Sequence, residues 1–200
     1  MFFKQMQPSS SVLDTFLETG AYLKGHFRLT SGMHSPEYLQ CAKVLQHPQI
    51  AERFGASLAE QLRAMDSGVN VVVAPAIGGL IIGHEVARAL GCRFIFTERD
   101  GDGKMTLRRG FAINPGEHAL VIEDVITTGG SSKEVIDILK RDGADVAGAG
   151  SIIDRSGGKA DLGVPRVALA VLEVVAYSPE NCPLCQQGLP VVKPGSRPTA

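Results

Sequence analysis

Residues 119–132, ALVIEDVITTGGSS, set an apolar run, two adjacent carboxylates and a glycine- and hydroxyl-rich turn directly ahead of a helical pattern. Ala119 to Ile122 has the look of a short buried strand, and over 131–142 the positions Val135, Ile136 and Leu139 mark the apolar face of a helix. A strand running into a helix through a tight turn belongs in an open α/β sheet, whose ligands bind at the strands' carboxyl ends. The helix N-terminus there offers unpaired N–H groups and a partial positive charge, which suits phosphate. Gly129 and Gly130 permit close backbone approach, while Thr127, Thr128, Ser131 and Ser132 add hydroxyl donors. Glu123 and Asp124 repel phosphate but accept hydrogen bonds from a sugar diol. Acids upstream and donors downstream therefore point to one ligand carrying both a ribose and a 5′-phosphate.

A plainer reading makes Ser131 an N-cap with Glu134 as its capping-box partner, the acids being merely solvated. That accounts for the cap but not for two acids abutting a Gly-Gly turn. Other nucleotide motifs are missing. The spacing nearest a Walker sequence, Gly78 to Gly83, is followed by His84 and Glu85 rather than Lys and Ser/Thr, and no strand-linked dinucleotide fingerprint occurs.

Two hundred residues with 44% hydrophobic content suit a single α/β domain with a modest extension. Lys and Arg number 20 against 21 acids, so no broad field recruits nucleic acid or an anionic membrane, and the expected partner is a small molecule. The start, MFFKQMQPSSS, is too short an apolar stretch for a signal peptide, and no run approaches a membrane span; a cytoplasmic protein is expected. Cys41, Cys92, Cys182 and Cys185 do not form a secreted disulfide framework, so reduced thiols are expected. Cys182-Pro-Leu-Cys185 offers half a zinc site, but no second CxxC or HxxxH pair accompanies it, and position 88, where His84-Glu85 would need its second histidine, is Arg. A redox role for the pair is disfavoured by its place in a Pro-rich tail.

Helices are expected over Val12 to Thr19, Gln49 to Met65 and up to Leu90, with strands at Val69 to Val73, Arg93 to Thr97, Val146 to Ile153 and Val167 to Val175. This alternation predicts crossover units around a mainly parallel sheet. The extended stretch from Tyr22 to Tyr38 suggests a small N-terminal hood, and from Ser178 onward the chain turns rich in Pro, Gly and polar residues, as a surface-wrapping or partly mobile tail would be. Domain limits of 1–40, 41–177 and 178–200 follow.

Three further segments carry chemistry. Ala74-Pro-Ala-Ile-Gly-Gly79 repeats the logic of a strand end, glycines and a helix start, so it is either a second anion site or simply a tight turn. Glu98 to Gly110, ERDGDGKMTLRRG, is charged with little apolar anchorage: a solvated hairpin, or a mobile lid whose Arg99 and Lys104 close over a polyphosphate leaving group. Arg155, after the strand ending at Ile153-Asp154, can present a planar fork of donors to a carboxylate or ring carbonyl.

LVIEDVITTGGS resembles the phosphoribosyl pyrophosphate (PRPP) signature of the type I phosphoribosyltransferases, and GHFRLTSGMHSPEYLQ, residues 25–40, is similar to the amino-terminal hood of the orotate phosphoribosyltransferases. The resemblance implies the family's fold, a central mainly parallel sheet flanked by helices with a small hood. It also implies PRPP held by Glu123, Asp124, Val125, Ile126, Thr127, Thr128, Gly129, Gly130 and Ser131, with Ile77 and Gly78 at the pyrophosphate. Orotate would meet Thr127, Arg155, Tyr38 and Leu39, and Arg99, Lys104 and Asp124 would be catalytic. The implied reaction joins PRPP and orotate into orotidine 5′-phosphate and pyrophosphate, a step of pyrimidine synthesis. Mg²⁺ would be held mainly through PRPP, and a homodimer would let loop 98–109 reach the neighbouring site. Rival expectations are a purine or uracil phosphoribosyltransferase and a non-catalytic PRPP-sensing regulator. The chain departs from the better-known orotate enzymes at Thr30 and Gly78, where they carry lysines, and at Asp100, Gly103 and Met105, where their mobile loop carries two lysines and a histidine. Lys104, Arg108 and Arg109 are the available substitutes.

Overall fold

The fold follows from where the apolar runs lie. The computed structural model describes residues 11–29, 31–65 and 68–194; Thr30 and the ten amino-terminal residues examined for a leader fall outside them. The chain divides into two units, one drawn from Met1–Val44 and Glu173–Ala200, the other from Leu45–Leu172.

In the second unit, α3 (Pro48–Arg63), β3 (Val71–Pro75), α4 (Gly79–Leu90), β4 (Arg93–Arg99), β5 (Met105–Leu107), β6 (His118–Ile126), α5 (Gly130–Arg141), β7 (Asp145–Asp154) and β8 (Arg166–Val171) follow one another along the chain. Six strands form one sheet in the order β5-β4-β3-β6-β7-β8, parallel except for the β4–β5 hairpin. The expected α/β class is what is found. Strands buried on both faces are nearly continuous apolar runs, as in Val71–Pro75, which is buried throughout. Alternate residues face opposite layers: Val71, Val73, Ala119 and Val121 pack with Val135, Ile136 and Leu139 of α5. On the other face, Ile122 lies with Leu58 and Leu62 of α3 around Gly150.

The order reverses between β3 and β6, because the chain builds outward from β3 to β4 and then returns to start β6 on β3's other side. This is a topological switch point, where a crevice opens beyond the strands' carboxyl ends. Pairing is uneven there. β3–β6 pairing ends at Val73↔Val121, whereas β6–β7 pairing continues to Ile126↔Asp154. The signature strand is thus longer than its apolar run suggests, and Glu123 and Asp124 are strand residues rather than part of the following turn. β7 alone supports this extension.

The first unit holds α1 (Val12–Glu18), β1 (Tyr22–Arg28) and β2 (His34–Leu39), with α2 (Cys41–Leu45) following at its boundary. Ser11 and Asp14 close a reciprocal capping box on α1. β1 and β2 form a separate antiparallel hairpin with a register shift between Lys24 and Phe27. The C-terminal segment binds both outer edges: Arg28 N–H donates to Val192 O at 2.8 Å, and His34 and Tyr177 exchange two backbone bonds of 2.8 Å. That segment includes a short 3-10 turn at Pro179–Asn181 and α6 (Pro183–Gln186).

Candidate active site

The crevice past Val121 is built from the ends of β3, β6 and β7. Glu123 and Asp124 project from β6 beyond its pairing with β3, and both keep some solvent access. Asp124 Oδ1 accepts from the Val125 amide at 2.8 Å. Burial pushes the Glu123 carboxyl well above the usual range; the adjacent Asp124 charge and a hydrogen bond shared with it add to the rise, and the Ser132 hydroxyl opposes it. Burial also raises Asp124. Two carboxylates that resist holding two negative charges form a site ready for hydrogen-bond donors or a cation.

The turn after β6 departs from the capping-box alternative. The N-cap of α5 is Gly129, with φ 81° and no side-chain cap, and the helix begins at Gly130 rather than Ser131. Positive φ favours glycine there, and a Cβ on Gly129 would stand 2.5 Å from Leu162 Cδ2. Gly129 supplies no side-chain cap to the first-turn amides, as suits an anion site. Thr127, Thr128 and Gly130 are exposed around this turn, while Ser132 is buried. Ile126 differs in kind: its side chain is in the core, and its carbonyl accepts from the Arg155 amide.

The loop after β3 meets the same crevice. Gly78 approaches Asp124 so closely that a Cβ would lie 2.6 Å from Asp124 Oδ1. A side chain at this position requires the Asp124 carboxylate to shift, which gives a local reason for the departure from the better-known orotate enzymes. Ala76–Ile77 is a cis peptide, and the Ile77 side chain is 74% exposed. The Ala76 amide donates to Thr97 O at 2.8 Å, tying this loop to β4.

Glu98 to Arg109 forms the β4–β5 hairpin, with Thr97↔Leu107 and Arg99↔Met105 in register. Asp100 closes the turn by accepting from the amides of Asp102 (3.0 Å) and Lys104 (2.9 Å). Arg99 makes a two-pronged ion pair with Glu134 of α5, 2.9 Å on each side, and also donates to Gly103 O. Glu134 thus serves the hairpin rather than a helix cap. Arg109 pairs with Glu98 at 2.6 and 2.8 Å, and Met105 is packed into the core. Lys104 and Arg108 are exposed.

Arg155 sits just beyond β7. Its amide donates to Ile126 O at 2.8 Å, which places it beside Thr127. The loop carrying it is anchored by Asp154, fully buried, which accepts from the Ser156 amide (2.7 Å) and hydroxyl (2.6 Å) and pairs with Arg166. Burial works to raise the Asp154 carboxyl, but the bonds from Ser156 and Arg166 outweigh it and hold the group below the usual range. Sequence reasoning missed Asp154, Ser156 and Arg166 as positioning residues; the only available signal was an acid at a strand end followed by Arg-Ser-Gly-Gly. Tyr38 and Leu39 belong to the other unit, on β2, where Leu39 is buried and Tyr38 packs on Phe27 at 5.8 Å between centroids.

The phosphoribosyl transferase domain family matches residues 41–163. An orotate phosphoribosyltransferase of Desulforamulus reducens is 56% identical over 186 residues, spanning 93% of this chain and 96% of that protein. Another from Pelotomaculum thermopropionicum is 57% identical over the same shares. The chain belongs to the orotate phosphoribosyltransferase family. Among solved structures, the orotate phosphoribosyltransferase of Aeropyrum pernix superposes with a TM-score of 0.68 at 25% identity, covering 81% of this chain and 94% of that one. An adenine phosphoribosyltransferase of Thermoanaerobacter pseudethanolicus shares the fold, with a TM-score of 0.60 at 17% identity over 68% of this chain and 88% of that one. Among the described residues, no helix is long and apolar enough to cross a membrane.

Proposed function

We propose that this chain moves the 5-phosphoribosyl group of PRPP onto a ring nitrogen of orotate, releasing pyrophosphate and forming orotidine 5′-phosphate. The observation that carries the reading is the pairing of two carboxylates, a capless glycine turn and a backbone-tethered arginine around one strand end. The carboxylates suit the ribose diol, the turn's amides and the hydroxyls of Thr127, Thr128 and Ser131 suit the 5′-phosphate, and Ile77 with Gly78 suits the pyrophosphate. Arg155 and Thr127 would then hold the orotate ring and its carboxylate.

As pyrophosphate leaves, the anomeric carbon gains positive character and the leaving group gains negative charge. Glu123 and Asp124 favour the former, and hairpin cations favour the latter. Arg99 must exchange Glu134 for substrate to take part, whereas the exposed Lys104 needs no such exchange. Mg²⁺ would be held mainly through the substrate's phosphates, with Glu123 and Asp124 as the carboxylates nearest to it. When bound, that ion neutralises charge on the pyrophosphate. A homodimer in which Arg99 serves the partner's site, working in the reducing cytoplasm that suits four cysteines outside any disulfide, completes the proposal.

The test is a panel of bases incubated with PRPP and Mg²⁺. Pyrophosphate release with orotate alone is expected. Release with adenine, hypoxanthine or uracil instead would reassign the base, and tight PRPP binding without turnover would make the chain a sensor.

A further inference from the structure

Beyond the active site, four metal-ligating side chains converge within the first unit: His26 and His34 from the hairpin, Cys182 and Cys185 from the C-terminal segment. Their ligand atoms all lie within 4.8 Å of one another. His26 Nε2 is 2.9 Å from His34 Nδ1, Cys182 Sγ is 3.5 Å from His26 Nε2, and Cys185 Sγ is 3.2 Å from His34 Nδ1 and 3.7 Å from His26 Nε2. A tetrahedral zinc ion bound by two nitrogens and two thiolates has ligand-to-ligand edges of about 3.3 Å (N–N), 3.5 Å (N–S) and 3.8 Å (S–S). Four of the six edges are thus within about 0.5 Å of those of such a tetrahedron, and the other two are no longer than 4.8 Å.

The surroundings fit a built site. The register shift in β1 interrupts its alternation, so that His26 and Phe27 are buried side by side and the imidazole turns inward. His26, His34 and Cys182 are buried and Cys185 is at the surface. His26 Nδ1 lies 2.8 Å from Leu189 O. With its proton on Nδ1 donated to that carbonyl, Nε2 is left with its lone pair toward the cluster, the usual outer support of a histidine ligand. The Cys-Pro-Leu-Cys spacing found no partner in the sequence because His26 and His34 match no familiar ligand spacing; only the hairpin fold brings them together.

We propose that His26, His34, Cys182 and Cys185 form a tetrahedral zinc site that cross-links the hairpin to the C-terminal segment. Two thiolates and two imidazoles are a donor set zinc favours over hard cations, and a full set of four protein ligands marks a structural rather than a catalytic ion. The link joins positions 148 to 159 residues apart, so it closes long loops that are costly to close by chance contact. Binding would deprotonate both thiols and release their protons.

The full chain, produced with zinc in the medium and dialysed, should carry one zinc per chain by elemental mass spectrometry. Cobalt(II) in its place should give the intense visible absorption of a tetrahedral ion and a thiolate charge-transfer band in the near ultraviolet. Cys182→Ser and Cys185→Ser should each lose most of the metal and lower Tm by about 5 °C or more. If those variants fail to fold, His34→Cys keeps the test open: a thiolate there places a metal at nearly the distance an Nδ1-bound histidine does, so zinc should remain while the cobalt spectrum shifts toward three sulfurs. A folded wild-type chain that takes up neither ion, cysteine variants that keep stoichiometric zinc, or a Cys182–Cys185 disulfide in the freshly purified chain would each overturn the proposal. Metal content is measured without turnover, so its failure and that of the phosphoribosyl-transfer reading are separable.

Discussion

Glu123 and Asp154 are both acids at strand ends, yet their environments drive them in opposite directions. Glu123 is raised by burial and by its neighbour's charge, so the folded chain holds that proton more tightly than the unfolded chain does. Its contribution to stability is fully present below the unfolded value of about 4.3 and is lost as pH rises through the folded value. Glu123→Gln should therefore stabilise the ligand-free protein at pH 7–8, with the gain shrinking toward pH 4, while lowering kcat/KM for PRPP; a Tm series across pH together with initial rates checks both. Asp154 is held low, so its contribution is present above about pH 4 and is lost as pH falls through the folded value. Asp154→Asn removes one partner of a buried pair and should cost about 3 kcal/mol at neutral pH, by urea unfolding, with the two proteins converging in acid. Because Arg155 rides on that loop, the same variant should raise the KM for orotate more than that for PRPP.

At the level of elements, the β4–β5 hairpin and α5 share the Arg99–Glu134 pair, whose side chains are 33% and 44% exposed. A pair this exposed is a modest restraint, within about 1 kcal/mol. Glu134→Gln should therefore free Arg99 and improve kcat/KM for PRPP by no more than about 5-fold, with little change in Tm. A large loss of activity would mean instead that Glu134 positions Arg99 for catalysis. Much of the element layout was legible from the sequence: continuous apolar runs gave β3 and the start of β6, and a 3.6-residue period gave α3 and α5. The far half of β6 was not, because Glu123 and Asp124 break the apolar pattern and only the backbone of β7 keeps them in strand. The hairpin was legible as polar and glycine-bearing, but not its ion pairs, which join residues 11 and 35 positions apart.

For the whole molecule, the test is whether one chain completes another's site. Arg99→Ala and Asp124→Asn should each be nearly inactive alone. If the hairpin serves the partner's site, mixing them under exchange should restore up to about a quarter of wild-type activity, since half the dimers are hybrids with one intact site each. Sites complete within one chain would give no recovery on mixing, measured alongside the dimer fraction by analytical ultracentrifugation.

The sequence by itself determined the α/β class and, through its resemblance, the family, and it supplied the proposed ribose and phosphate roles of EDVITTGGS, because these reside in contiguous residues whose spacing and residue type carry the physics. The tertiary structure decided what depends on distant partners: that Gly78 abuts Asp124, that Asp154 and Arg166 fix the Arg155 loop, and that two histidines of a bulged hairpin meet the Cys-Pro-Leu-Cys pair. Local spacing cannot encode these contacts, since the atoms that make them become neighbours only once the chain has folded.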